Sequence, residues 1–106
     1  MGIDFKNSKY SEEFIRDYVK NNKLGYYDWV YISHYQKLSE NFIREFKDKV
    51  YWDIISHYQK LSENFIREFK NDVYWIFICK HQILSENFIR EFKDKVYWNF
   101  TCEHQI

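Results

Sequence analysis

The sequence predicts an all-α fold: short helical hairpins repeated in tandem and stacked as a small α-solenoid. Three observations carry this expectation. The string LSENFIREFK begins at Leu38, Leu61 and Leu84, each start 23 residues after the last. Within one copy Leu38, Phe42, Ile43, Phe46 and Val50 are spaced by four, one, three and four, a helical period and not a strand period. Hydrophobic residues make up 45% of the chain and aromatics 23%, enough for a shared core despite a mean hydropathy of −0.70.

In chain order, residues 1–9 read as a lead-in or cap, and 10–106 as one repeat domain with units 10–37, 38–60, 61–83 and 84–106. The first unit is diverged: YSEEFIRDY stands for LSENFIREF, with five extra residues around Asn21 to Gly25. Each unit opens on a first helix of about eleven residues. Ser39 is its expected N-cap, with Leu38 at N′ and Ile43 at N4 forming a hydrophobic staple. Its outer face pairs Glu40 with Arg44, Arg44 with Asp48 and Glu45 with Lys49 at i,i+4. A second helix of about eight residues follows, Trp52 to Gln59 in the second unit. In the first unit Asp28 is the expected N-cap before Trp29; elsewhere the position is Tyr51, Tyr74 or Tyr97, which cannot cap this way. Helices of about 16 and 12 Å are marginal alone, so neighbouring units must hold one another. Trp29, Trp52, Trp75 and Trp98 are the expected anchors.

Composition narrows the function. Sixteen Lys and Arg balance sixteen Asp and Glu, which disfavours a protein that holds nucleic acid by neutralising phosphates. The N-terminus has no apolar signal region and no run of about 18 apolar residues occurs, so a soluble cytoplasmic protein away from membranes is expected. With two cysteines, a disulfide-stapled scaffold is not expected. Cys79 and Cys102 take the slots of Ser33 and Ser56 and read as small, free, buried residues. Cys79-Lys80-His81 and Cys102-Glu103-His104 do not suit zinc, because residues two apart on a helix point about 200° apart. No phosphate loop or activated nucleophile is present, so no enzyme activity and no cofactor are expected.

Repetition singles out three sets of residues and one end of the array. Tyr51, Tyr74 and Tyr97 line up along one face of a stacked array and form a candidate partner-binding ladder. Arg16, Arg44, Arg67 and Arg90 form a second ladder, the last three as binding candidates, for binding or for pairing within each helix. Gln36, Gln59, Gln82 and Gln105 close every second helix, where they serve free carbonyls. Finally, the array stops at Ile106 without a polar capping unit, which makes that end a candidate site of homo-oligomerisation.

The unit L-S-E-x-F-I-x-E-F-x-x-x-V-x-W-x-x-I-S-x-x-Q, over about residues 10–106, resembles short tandem repeats in proteins of giant DNA viruses, phages and low-GC bacteria. The resemblance implies an accessory protein that binds and blocks a host defence factor, as anti-CRISPR proteins do. Asp28 alone keeps the family's acidic or amide residue before the Trp, and the last two units replace I-S with Ile78-Cys79 and Thr101-Cys102. The expected function is a non-enzymatic module that binds a host protein. The alternatives are a single-stranded nucleic-acid binder and a self-assembling structural module.

Overall fold

A computed structural model describes residues 2–95. Among them the protein is all-helical: α1 (Glu12–Asn21), α2 (Tyr26–Tyr35), α3 (Glu40–Glu45), α4 (Trp52–Tyr58), α5 (Glu63–Glu68), α6 (Trp75–His81) and α7 (Glu86–Glu91). The second helices of successive units pack in order, α2 on α4 and α4 on α6. The result is elongated, 48 × 22 × 19 Å with a radius of gyration of 15.2 Å. A compact domain of this size has a radius of about 13 Å.

The first helices start as the sequence predicts. Ser11, Ser39, Ser62 and Ser85 are N-caps, each hydroxyl accepting the N–H of the residue three further on. They end sooner than predicted in the repeated units. The expected eleven-residue helix is six residues in α3, α5 and α7. Phe46 leaves helical geometry at φ −109° and ψ 30°. The N–H groups of Lys49 and Val50 then both donate to its carbonyl, at 2.9 and 3.0 Å. The Lys47 carbonyl, which a continued helix would offer to Tyr51, accepts the Trp52 indole N–H at 3.0 Å. The Tyr51 N–H donates instead to Ser33 Oγ of the preceding unit at 3.1 Å. Trp75 with Lys70, and Tyr74 with Ser56, repeat both bonds at 3.0 Å. The turn therefore exchanges helical bonds for a fixed tryptophan and a bond to the neighbour. Ser33 and Ser56 are thus hydrogen-bond acceptors as well as small residues.

Asp28 differs from its expected place. Helix α2 starts three residues earlier, with Gly25 at the N-cap, and Asp28 lies at N3. There its carboxylate reaches back to accept the Gly25 N–H at 2.8 Å, the reciprocal half of a capping box. Tyr51 and Tyr74 do occupy N-cap positions without side-chain capping bonds.

The core runs the length of the array. Its largest wholly buried side chains are Phe42, Phe65 and Phe88, with one or two buried isoleucines per unit around them. The tryptophans lean across to the next unit: Trp29 meets Phe46 at 5.4 Å, Trp52 meets Phe69 at 4.9 Å and Trp75 meets Phe92 at 5.0 Å between ring centroids. Trp29 and Trp75 are buried as expected of anchors, whereas Trp52 keeps a partly exposed edge. Trp98 lies outside the described residues. Cys79 is wholly buried in the serine slot, but it is disulfide-bonded and not the free thiol expected.

Buried glutamines lock the units in register. The Gln59 amide donates to the carbonyls of Ser33 and Gln36, both at 2.8 Å, and its oxygen accepts the Leu38 N–H at 3.1 Å. Gln82 does the same one unit later, with Ser56, Gln59 and Leu61. The carbonyls served are therefore those ending the preceding unit's helix, not the glutamine's own. Gln36 has no preceding unit, and residues 5–10 stand in for one: it donates to Phe5 and Ser8 and accepts from the Tyr10 N–H at 3.0 Å. No buried side-chain nitrogen or oxygen lacks a partner among the described residues.

Replacing Gln59 with Leu keeps the volume but leaves two carbonyls and one N–H unpaired. The expected loss is about 3 kcal/mol or more in urea unfolding, since each orphaned buried group costs roughly 1–3 kcal/mol. Glu40→Gln, at the exposed rim, should cost less than about 1 kcal/mol.

Candidate functional site

The expected intrahelix pairs Glu40–Arg44, Arg44–Asp48 and Glu45–Lys49 are not formed; the charged residues bridge units instead. Glu12, Glu40 and Glu63 each accept both the N–H and the hydroxyl of the next unit's N-cap serine, at 2.5–3.0 Å. Arg16, Arg44 and Arg67 pair with Glu45, Glu68 and Glu91 of the following unit at 2.7, 2.7 and 2.9 Å. Each guanidinium also lies over the next unit's phenylalanine, Phe42, Phe65 or Phe88, at 5.2–5.5 Å. The reason is geometric. A six-residue helix ends before Asp48 and Lys49 can lie over its last turn, while the neighbour's glutamate is in bidentate reach. Among the described residues only Arg16–Glu12 and Arg90–Glu86 are i,i+4 salt bridges.

This assigns much of the arginine ladder to holding the array together. Arg44 and Arg67 are committed to the next unit, and each also donates to an asparagine of its own helix, Asn41 or Asn64, at 2.7 Å. The Arg44 bonds hold the Glu68 carboxyl below its ordinary value. The Arg90 guanidinium bonds only Glu86 of its own helix among the described residues, and it is largely exposed.

The tyrosine face is different in character. Tyr74 is 51% exposed, and Tyr51 is partly covered by Tyr26, edge to face at 5.1 Å. Tyr97 lies outside the described residues. Tyr26 and Tyr27, which the ladder in the sequence does not include, are 59% and 69% exposed and meet each other edge to face at 5.0 Å. The available signal was in the register: they replace Lys49 and Val50 of the next unit, and Val50 is buried. Between Tyr51 and Tyr74 a groove of about 540 Å³ opens, with Trp52, Asp53, Asp72 and Trp75 among its walls. Exposed tyrosines on rigid helix starts beside a groove can present area to a partner at little entropic cost.

At the other ends of the second helices the aromatic rings form a column. His34 stacks on Tyr35 at 3.8 Å and on Tyr58 at 3.7 Å; His57 stacks on Tyr58 at 3.9 Å and on His81 at 4.0 Å. Phe77 lies parallel to His57 at 5.1 Å. Rings placed face to face cannot aim their nitrogens at one point. Among the described residues no group of three His, Cys, Asp or Glu side chains could hold a metal. No helix among them is long and apolar enough to cross a membrane. The C-terminal end proposed for self-association lies outside the described residues.

No protein-family model, curated protein or solved structure matches the chain.

The histidine column makes stability depend on pH. Partial burial pushes His34 and His81 below the ordinary histidine value; the neighbouring His57 acts in the same direction, as do Lys6 at one end and Lys80 at the other. The fold thus prefers the neutral rings, although the helix C-termini beneath them partly favour charge. Stability should be full above about pH 6.5 and decline as pH falls through the lowered folded values. Melting at pH 7.5 and 5.5 should show Tm lower by several degrees at the lower pH. His81→Tyr, the residue that Tyr35 and Tyr58 supply in earlier units, should shrink that difference.

Proposed function

We propose that this protein is a non-enzymatic binding module that engages a partner protein along its tyrosine face. The observation that carries the reading is the exposure of Tyr26, Tyr27 and Tyr74, in a chain that buries its repeated Phe42, Phe65 and Phe88. Tyr74, with Tyr51, stands beside a groove, on helix starts fixed to the preceding unit by the Ser33 and Ser56 bonds. Rigid amphipathic rings around a groove are the usual composition of a protein-binding surface, and rings held in place before binding lose little freedom on docking. Arg16, Arg44 and Arg67, by contrast, are already engaged between units, and the chain's zero net charge gives no excess of cations to follow a phosphate backbone. The resemblance to viral and phage repeats makes the partner a host protein, with inhibition of a defence factor as its physiological setting.

The reading predicts a stoichiometric complex with one host protein, measurable by calorimetry after capture and purification of that protein. Changing Tyr26, Tyr51 and Tyr74 together to Ser should weaken the complex at least tenfold while Tm shifts by only a few degrees. Unchanged affinity in that variant contradicts the reading.

A further inference from the structure

The groove between α4 and α6 is chemically unlike its equivalents in the repeat. Two register positions decide its charge. The residue after the tryptophan reads Val30, Asp53, Ile76 and Asn99 through the four units. The residue two before the tyrosine reads Lys49, Asp72 and Lys95 in the last three. The groove combines the first position of one unit with the second position of the next, and the same register can be read in sequence for the flanking units. The pairs are therefore Val30 with Lys49, Asp53 with Asp72, and Ile76 with Lys95. The residue before the lysine compensates in the outer pairs, since Asp48 and Asp94 stand where the middle groove has Asn71. The formal charges of these positions sum to zero, minus two and zero. Three of the nine register positions at which the 23-residue copies differ meet at this groove, and they make it anionic.

The carboxylates there are available. Asp53 accepts only the adjacent Ile54 N–H, at 2.9 Å, and Asp72 forms neither a side-chain hydrogen bond nor a salt bridge among the described residues. Asp72 also borders the depression that holds Arg44 and Lys47, but Arg44 is occupied by Glu68. No Lys or Arg lines the groove itself, and Tyr51, Trp52 and Tyr74 supply aromatic walls. Its volume of about 540 Å³ falls within the roughly 300–1,000 Å³ typical of binding sites. A paired anionic and aromatic surface complements a guanidinium: carboxylates take its N–H groups while the rings take its face.

We infer that this groove docks an arginine side chain carried on an extended basic segment of the partner protein. The assignment rests on the binding role proposed for the tyrosine face and names the partner's chemistry at its centre.

The probe is the pentapeptide acetyl-GRGRG-amide, titrated into the full chain at low salt and followed by amide and indole NMR signals, with the citrulline peptide as an uncharged isostere. The arginine peptide should shift the signals of Asp53, Asp72 and Tyr74 and the Trp52 indole, and the citrulline peptide should bind at least tenfold more weakly. Asp72→Lys installs the residue that the flanking units carry, so the fold should tolerate it, and it should weaken arginine-peptide binding at least tenfold. Asp53→Asn should weaken it less, and the double variant should abolish it. Equal binding of the two peptides, shifts elsewhere on the chain, no shift at millimolar peptide, or indifference to Asp72→Lys in a variant with an unchanged helical spectrum would each overturn the inference. The triple tyrosine change tests the wider reading separately, since a host complex that depends on the tyrosines but not on Asp53 and Asp72 defeats this assignment alone.

Discussion

The three hydrogen bonds of each buried glutamine are the constraint from which the rest of this structure follows. A second helix of seven residues ends with free carbonyls, and the chain then re-enters a new helix through an extended Leu whose N–H is also free. Both defects are buried, and water cannot repair them. The glutamine of the next unit supplies two donors to its predecessor's carbonyls and one acceptor to its own unit's Leu N–H, so it closes the backbone where the two units join. The geometry leaves little freedom to slide or rotate, because a displaced amide would orphan three groups at once. The N-terminal segment shows the same requirement from the other side. Phe5, Ser8 and Tyr10 present backbone groups to Gln36 as a full unit would.

Other repeated side chains reinforce that register outward from the core. Phenylalanine and tryptophan rings cross from one unit to the next, and the serine hydroxyls hold the following tyrosine N–H groups. Glutamates cap the next unit's serines, and arginines bind the next unit's glutamates at the rim. Each residue type has one neighbour-directed task, which is why the copies diverge so little there. Positions without such a task can vary, and they include Tyr26, Tyr27, Asp53, Asp72 and Ile83. Charge changes at several of these positions, with Lys60 replaced by Ile83 among them, and at the middle groove Asp53 and Asp72 make it anionic.

What the sequence made legible was the period. The 23-residue spacing and the serine caps sufficed for helical hairpins, all-α structure and helix starts, because caps and staples are local interactions. The first helices were overestimated, since Phe46 and Val50 keep a helical spacing through a turn that is not α-helical; that turn depends on a tryptophan bond to Lys47 and a serine in another unit. The intrahelix charge pairs failed for the same reason. Glu40 and Arg44 have the right spacing, yet both find better-placed partners 22 to 24 residues away. Gln59 was recognised as structural, but not that its carbonyls belong to the unit before. Of the tyrosine face, Tyr51 and Tyr74 were legible as a ladder, while Tyr26 and Tyr27 hid in the diverged first unit. The charge of the groove emerges only when positions from two units are brought together.

Native-state hydrogen exchange tests the glutamine clamp most directly. The amides of Leu38 and Leu61 lie outside any helix, and their protection comes from Gln59 and Gln82. Both should exchange only through opening as large as that which releases the core amides of α4 and α6. Exchange of Leu38 and Leu61 at the rate of an exposed turn amide, in a protein whose helix amides remain protected, would contradict the account.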